Sequence, residues 1–318
     1  MDILLLIIWF ALLIKWADLL VDWASSIAKK FWISSLVIGL TIVAFWTSAP
    51  ELVVNIMSAF SWQTDLAISN IIWSNISNIF LILGLTAIVY PIAMPKSTVR
   101  KEIPFVILIS IVLFWLLLDG FLSKWDAFIL LMFFSVFLYY TYTIAIEKKD
   151  KNELKEEKKE AESIKLMTTT RSSIYIILWL IWLIYWWKLI VDSAINIAVW
   201  FWLPMSFIWV TIVAIWTSLP ELAASMMAAF KKNTDMAIGW IVGSNIFNTV
   251  WILGITWFIH PLKGYEWMNI DLWFELLASF LVFIAAFTFK KYFLTKIEWI
   301  ILVTIYVWYI SYLSYNVL

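Results

Sequence analysis

Residues 41–51 read TIVAFWTSAPE and residues 211–221 read TIVAIWTSLPE. Each copy sets a Thr-Ser pair, a proline and a glutamate inside an otherwise apolar run. A carboxylate near the middle of a bilayer costs several kcal/mol, so Glu51 and Glu221 are expected to face a partner or a water-filled path, not lipid. Two acids in duplicate settings point to a site for a cation.

The class follows from composition. Of 318 residues, 64% are hydrophobic and 14% are charged, and apolar runs of about 18 residues or more recur along the chain, as membrane spans require. There is no cysteine, which excludes disulfide and thiolate chemistry, and the single histidine, His260, leaves no cluster for zinc or paired haem ligation. No cofactor is expected. Net charge is zero, so nothing suggests a nucleic-acid partner. The first apolar run lacks a basic start and a small-residue cleavage site and reads as the first span, not as a removed signal.

The spans fall at roughly 3–24, 33–60, 66–93, 103–119, 126–146, 172–194, 205–230, 235–259, 271–289 and 297–316. Between the fifth and sixth lies EKKDKNELKEEKKEAESIKLMTTTR, which is too polar for a bilayer and too poor in apolar residues for a core. The expected organisation is a first half at 1–146, a charged linker at 147–171 and a second half at 172–318. With the N-terminus outside, 18 lysines and arginines lie in inward loops, whereas the outward loops hold Lys124 and Lys263. This asymmetry predicts a multi-pass protein of the cell (inner) membrane with both termini outside and the linker in the cytoplasm. Lys15 and Lys188 sit within spans and are expected to snorkel or to pair.

The halves repeat at a constant offset of 170 residues: Asp22 matches Asp192, Thr47 Thr217, Pro50 Pro220, Glu51 Glu221, Ser74 Ser244, Asn78 Asn248, Gly84 Gly254 and Pro91 Pro261. Five spans per half is an odd number, so the second copy enters the membrane inverted. The fold class is therefore an all-α membrane protein of about ten transmembrane helices, arranged as two inverted five-helix repeats with broken helices at the midplane. Secondary transporters are built this way, with their sites at the repeat interface.

The same register sets Trp209 opposite Gly39 and Trp73 opposite Gly243, in a chain with 24 tryptophans and 7 glycines. IIWSNISNIF at 71–80 against IVGSNIFNTV at 241–250 places the largest and smallest side chains at equivalent sites. Interfacial belts account for tryptophans beside loops, such as Trp125, but not for Trp46, Trp73, Trp209 and Trp216 at mid-membrane depth. Glycine there would let backbones approach closely, and the register predicts a gene that reads UGA as glycine.

Read so, the two quoted stretches resemble the GTS-x-PE signature of the calcium/cation antiporter superfamily, and IIWSNISNI with IVGSNIFNT resembles its companion GSN motif. The resemblance covers almost the whole chain and is strongest to the prokaryotic sodium/calcium exchangers. The GN-type motif before the glutamate in proton/calcium exchangers is missing, and the linker lacks the large calcium-sensing insert of animal exchangers.

The residues support that chemistry directly. Calcium takes about 6–8 oxygen ligands, and the repeated elements supply carboxylates, hydroxyls and amide oxygens. Thr47 and Ser48 precede Glu51 at helical spacing, as Thr217 and Ser218 precede Glu221; Ser74 and Asn78, and Ser244 and Asn248, are each four apart. Pro50 and Pro220 fit the first turn of a second half-helix, which is expected to leave carbonyls around Ala44 and Ala214 open for an ion. The resemblance implies ligand roles for Thr47, Ser48, Glu51, Ser74, Asn78, Thr217, Ser218, Glu221, Ser244 and Asn248, with Glu51 and Glu221 shared between calcium and sodium. Asn75 and Asn245 either hold the helices or touch the ion.

The expected activity is sodium/calcium antiport by alternating access, with no enzyme chemistry, since no mid-membrane histidine can activate Ser74 or Ser244. A proton- or potassium-coupled calcium antiporter is the alternative, and a cation channel a more distant one. The implied moving pair is the first and sixth spans. The expected partners are calcium, sodium and the lipid bilayer, with the monomer as the working unit.

Overall fold

The computed structural model describes residues 2–31, 33–146, 218–288 and 290–317. The linker, the span at 172–194, the first part of the span at 205–230, and Asp192, Trp209, Ala214, Trp216 and Thr217 lie outside the described residues.

The described chain is helical. Helix α1 spans Asp2–Phe31. Ser34 then accepts from the Val37 N–H at 3.3 Å and starts α2, Ser35–Thr47, which is followed across Ser48 by α3, Ala49–Phe60. Next come α4, Thr64–Val89, α5, Ile103–Leu116, and α6, Lys124–Ile146. The second half shows α7, Leu219–Phe230, α8, Thr234–Ile259, α9, Met268–Ala285, and α10, Lys296–Val317. Among the described residues, α4, α6, α8, α9 and Ile297–Tyr315 of α10 are long and apolar enough to cross a membrane, and α2 with α3 makes a sixth span bent by 41°.

The break between α2 and α3 has a chemical cause. Pro50 enters the first turn of α3, where its missing N–H costs nothing within that helix, but it gives nothing back to the carbonyl of Trp46 one turn earlier. Ser48, at φ −76° and ψ 4°, takes up the change of direction. Pro220 and Ser218 repeat the arrangement at the start of α7.

Helices α3 and α7 also end alike. Trp62 and Lys232, again 170 apart, both sit at φ 62°, closing the helices by bonds from Gln63 N–H to Ser58 C=O and from Asn233 N–H to Ala228 C=O. A π-helical turn interrupts α4 at Asn78–Leu83 and α8 at Phe247–Ile252. Two short antiparallel ladders join the halves. Strand β1, Ile92–Ala93, pairs with β4, Phe293–Leu294, and β2, Phe121–Leu122, pairs with β3, Leu262–Lys263.

Helices α4 and α8 form the buried centre. Around them α2 packs on α8, α3 on α4, α7 on both α1 and α8, and α9 on α4 and α5. The α2–α8 crossing is backbone against backbone. A Cβ on Gly39 would lie 2.6 Å from the Met236 carbonyl oxygen, and one on Gly243 would lie 2.5 Å from that of Leu40. Only glycine permits this approach. Trp73, the counterpart of Gly243, is instead buried beside α9 with its indole N–H on Asp271 Oδ2 at 2.7 Å. Lys15 pairs with Asp18 at 3.1 Å, as expected of a lysine within a span, and Lys231 ties the end of α7 to Asp18 and Asp22 of α1 at 2.8 and 2.5 Å.

Candidate ion-binding site

Glu51 and Glu221 sit in the first turns of α3 and α7, where the helix dipole favours a carboxylate by about 0.3–1 kcal/mol. The two interact electrostatically across the boundary between the halves. Thr47, Ser48, Glu51, Ser74, Asn78, Ser218, Glu221, Ser244 and Asn248 are each at most 2% exposed. Ala214 and Thr217 fall outside the described residues.

Several of the expected residues are linked by hydrogen bonds at the centre. Ser74 Oγ donates to Glu51 Oε1 at 3.4 Å, and the hydroxyls of Thr47 and Ser244 meet at 3.4 Å across the two halves. Asn78 Nδ2 donates to Asn245 Oδ1 at 2.9 Å, and Asn248 Nδ2 to Asn75 Oδ1 at 3.2 Å. Both amides thus spend nitrogen on protein and keep oxygen in reserve. Ser48 Oγ, Asn78 Oδ1, Asn248 Oδ1 and both carboxylate oxygens of Glu221 have no hydrogen-bond partner among the described residues. Buried acceptors without donors are costly unless a cation takes the place of the donor. Hard oxygen atoms of this kind suit calcium and sodium. Among the described residues no third carboxylate or histidine joins the pair as a metal cluster.

One expectation needs correction in its reasoning. The Ala44 carbonyl is not left open: it accepts from the Ser48 N–H at 3.0 Å and from the Thr47 hydroxyl at 3.2 Å. Proline removes the N–H of its own position, whose acceptor one turn back is Trp46 and not Ala44.

The structure adds residues that the motifs did not reveal. Asn70 Nδ2 donates to Asn55 Oδ1 at 2.8 Å, bracing α3 against α4 behind Glu51. Their spacing was a usable signal, since Asn55 lies one turn after Glu51 and Asn70 one turn before Ser74. Trp240 donates its indole N–H to Thr47 Oγ1 at 2.6 Å, occupying one lone pair of a proposed ligand. No local pattern signals that contact. On α9, Asp271 accepts from Trp73, from Tyr265 at 2.6 Å and from Tyr309 at 2.8 Å. Burial, with Asp271 beside it, holds the Tyr265 phenol well above its ordinary range, so it stays a donor.

A bent span whose second half opens on a buried acid, matched by α7 opening on another, in a multi-pass helical protein, fits a membrane cation transporter. The sequence profile of the sodium/calcium exchanger protein family matches residues 1–143 and 171–318. Inner membrane protein YrbG of Escherichia coli is 36% identical over 239 residues, covering 74% of this chain and 73% of that protein. Sodium/calcium exchanger MaX1 of Methanosarcina acetivorans is 27% identical over 282 residues, covering 76% and 78%. The solved structure of the sodium-calcium exchanger NCX_Mj, soaked with Na+ and Sr2+, superposes with a TM-score of 0.78 at 28% identity over 95% of each chain. The chain belongs to the sodium/calcium exchanger family, within the calcium/cation antiporter superfamily.

Proposed function

We propose that the protein is a secondary active antiporter that exchanges sodium for calcium by alternating access at a midplane site built on Glu51 and Glu221. The observation that carries this reading is the set of buried oxygens without donors around two facing carboxylates. Thr47, Ser48, Ser74, Asn78, Ser218, Ser244 and Asn248 complete the ligand set, with Ala214 and Thr217 as the expected contributors from the other half; the Ala44 carbonyl, already accepting from Ser48 N–H and the Thr47 hydroxyl, could join only by giving up one of those bonds. Two carboxylates in a low-dielectric cavity repel until cations neutralise them. The empty site therefore resists crossing, and either a calcium load or a sodium load permits it.

The proposed architecture is ten spans in two inverted five-helix repeats, 1–146 and 172–318, joined by the cytoplasmic linker 147–171, with both termini outside. Support comes from the ladders. β1 and β3 lie 170 residues apart, and each pairs with a strand of the opposite half, as a two-fold relation between halves would have it. One chain supplies both sides of the site, so the monomer is the working unit. In reconstituted vesicles, calcium uptake should require sodium inside and saturate with calcium. Equal uptake with choline inside that instead follows a pH gradient would establish the proton-coupled alternative.

A further inference from the structure

Helix α9 carries a second buried acid that no motif accounts for. Glu275 is 2% exposed, one turn from Asp271, and its counterpart in the first half is Phe105, so whatever it does is done on one side of the molecule only. Unlike Asp271, which accepts from three side chains, Glu275 is held at one oxygen. Its Oε1 accepts from Asn75 Nδ2 at 2.8 Å, and its Oε2 has no hydrogen-bond partner among the described residues.

We propose that Glu275 is a positioning residue of the ion site: through Asn75 it sets the amide of Asn248 so that Oδ1, and not Nδ2, is presented to the ion. An asparagine side chain has two ends of nearly equal shape, and a cation accepts only the oxygen end. Which end faces inward is decided by neighbours. Glu275 Oε1 acts as acceptor, so the Asn75 amide turns its nitrogen to α9, where its two hydrogens serve Glu275 and Thr249 Oγ1, both at 2.8 Å. Asn75 Oδ1 is left to accept from Asn248 Nδ2 at 3.2 Å, and Asn248 Oδ1 is left for the ion. The other half reaches the same result without a carboxylate. There the backbone carbonyl of Asn75 accepts from Asn245 Nδ2 at 3.2 Å, which turns Asn245 Oδ1 to Asn78 Nδ2 and frees Asn78 Oδ1.

The inference rests on the proposed ion site but not on the coupling ion. Its test is Glu275→Gln, whose amide can offer Asn75 either a donor or an acceptor and so no longer dictates the chain. Direct calcium binding to the purified protein and calcium uptake in vesicles are read together. Groups behind a metal's ligands typically influence affinity 10–100-fold, and a weakening on the order of 10-fold in calcium Kd and KM is expected, with the maximal rate within about twofold. Asn248→Asp adds a charge and should tighten calcium binding in either background, but because a carboxylate shows an oxygen whichever way it turns, the penalty of Glu275→Gln measured in the Asn248→Asp background should shrink to within about twofold; a merely structural role would keep the full penalty in both backgrounds. Unchanged calcium affinity in Glu275→Gln overturns the inference, as does loss of folded protein in both Glu275→Gln and Glu275→Asp, which would make the residue structural. Wild-type protein that binds calcium without sodium-driven uptake would count against sodium coupling alone.

Discussion

Glu51 and Glu221 occupy the same place in a duplicated motif, yet their surroundings differ. Glu51 accepts from Ser74, and its helix is braced from behind by the Asn55–Asn70 pair. At the equivalent positions of the second half stand Ser225, whose hydroxyl has no partner among the described residues, and Trp240, which reaches across to Thr47 of the first half. Similarly, the amide that orients Asn248 is held by a carboxylate, whereas the one that orients Asn78 is held by backbone. The repeat therefore keeps the same residue types at the proposed ligand positions, while the supporting hydrogen bonds differ between the halves.

The change reaching deepest into this comparison concerns Trp73 and Gly243. Codons for Trp16, Trp23, Trp46, Trp73, Trp209 and Trp216 should be UGA, and peptide masses of the native protein should report glycine. Two features of the structure favour this outcome. Trp62 holds a left-handed φ of 62°, where glycine is the usual occupant, and the buried indole N–H groups of Trp23, Trp251, Trp257 and Trp299 find no acceptor among the described residues. UGG codons at the six sites would end the idea, and the asymmetry at Trp73 would stand as native.

Next in size are the acids themselves. Glu51→Gln and Glu221→Gln each remove one of two charges opposite a calcium ion, and losing one partner of a buried charge pair costs about 3–5 kcal/mol. Calcium exchange in vesicles should fall by about two orders of magnitude or more in either variant with insertion retained, while Glu156→Gln in the linker should be silent. Normal sodium-driven flux in the double variant would overturn the site.

The braces should separate the halves by stability. Asn55→Ala strands a buried amide of Asn70 and should destabilise the protein by about 1–3 kcal/mol, read as a lower thermal unfolding midpoint. Ser225→Ala removes a hydroxyl that bonds nothing described, and its midpoint should barely move. Equal shifts would mean that the divergence has no energetic content. The smallest effect is expected at Trp240→Phe, which withdraws a donor from Thr47 Oγ1 and should tighten calcium KM by about threefold, the worth of one modest hydrogen bond. A weaker affinity would mean that the indole holds Thr47 in place instead of competing with the ion.

Much of this protein is written along one dimension. Apolar run length alone establishes a multi-pass membrane protein, and identity at a fixed offset pairs Glu51 with Glu221 and Asn78 with Asn248, because both signals are local or periodic and need no partner in space. The described polar ligand candidates were legible for the same reason, and all of them are buried. Which atom each of them presents was not legible. That Asn75 meets Glu275 200 positions away, or that Trp240 meets Thr47 193 positions away, depends on how far each helix is rotated and where α8 and α9 pass behind the site. The state of the Ala44 carbonyl likewise turned on the register of one helical turn across Ser48. Hydrogen bonds between side chains of different helices leave no periodic trace in a sequence, since a one-residue rotation of about 100° would redirect them all without changing the hydropathy pattern, and only the packed structure selects among those rotations.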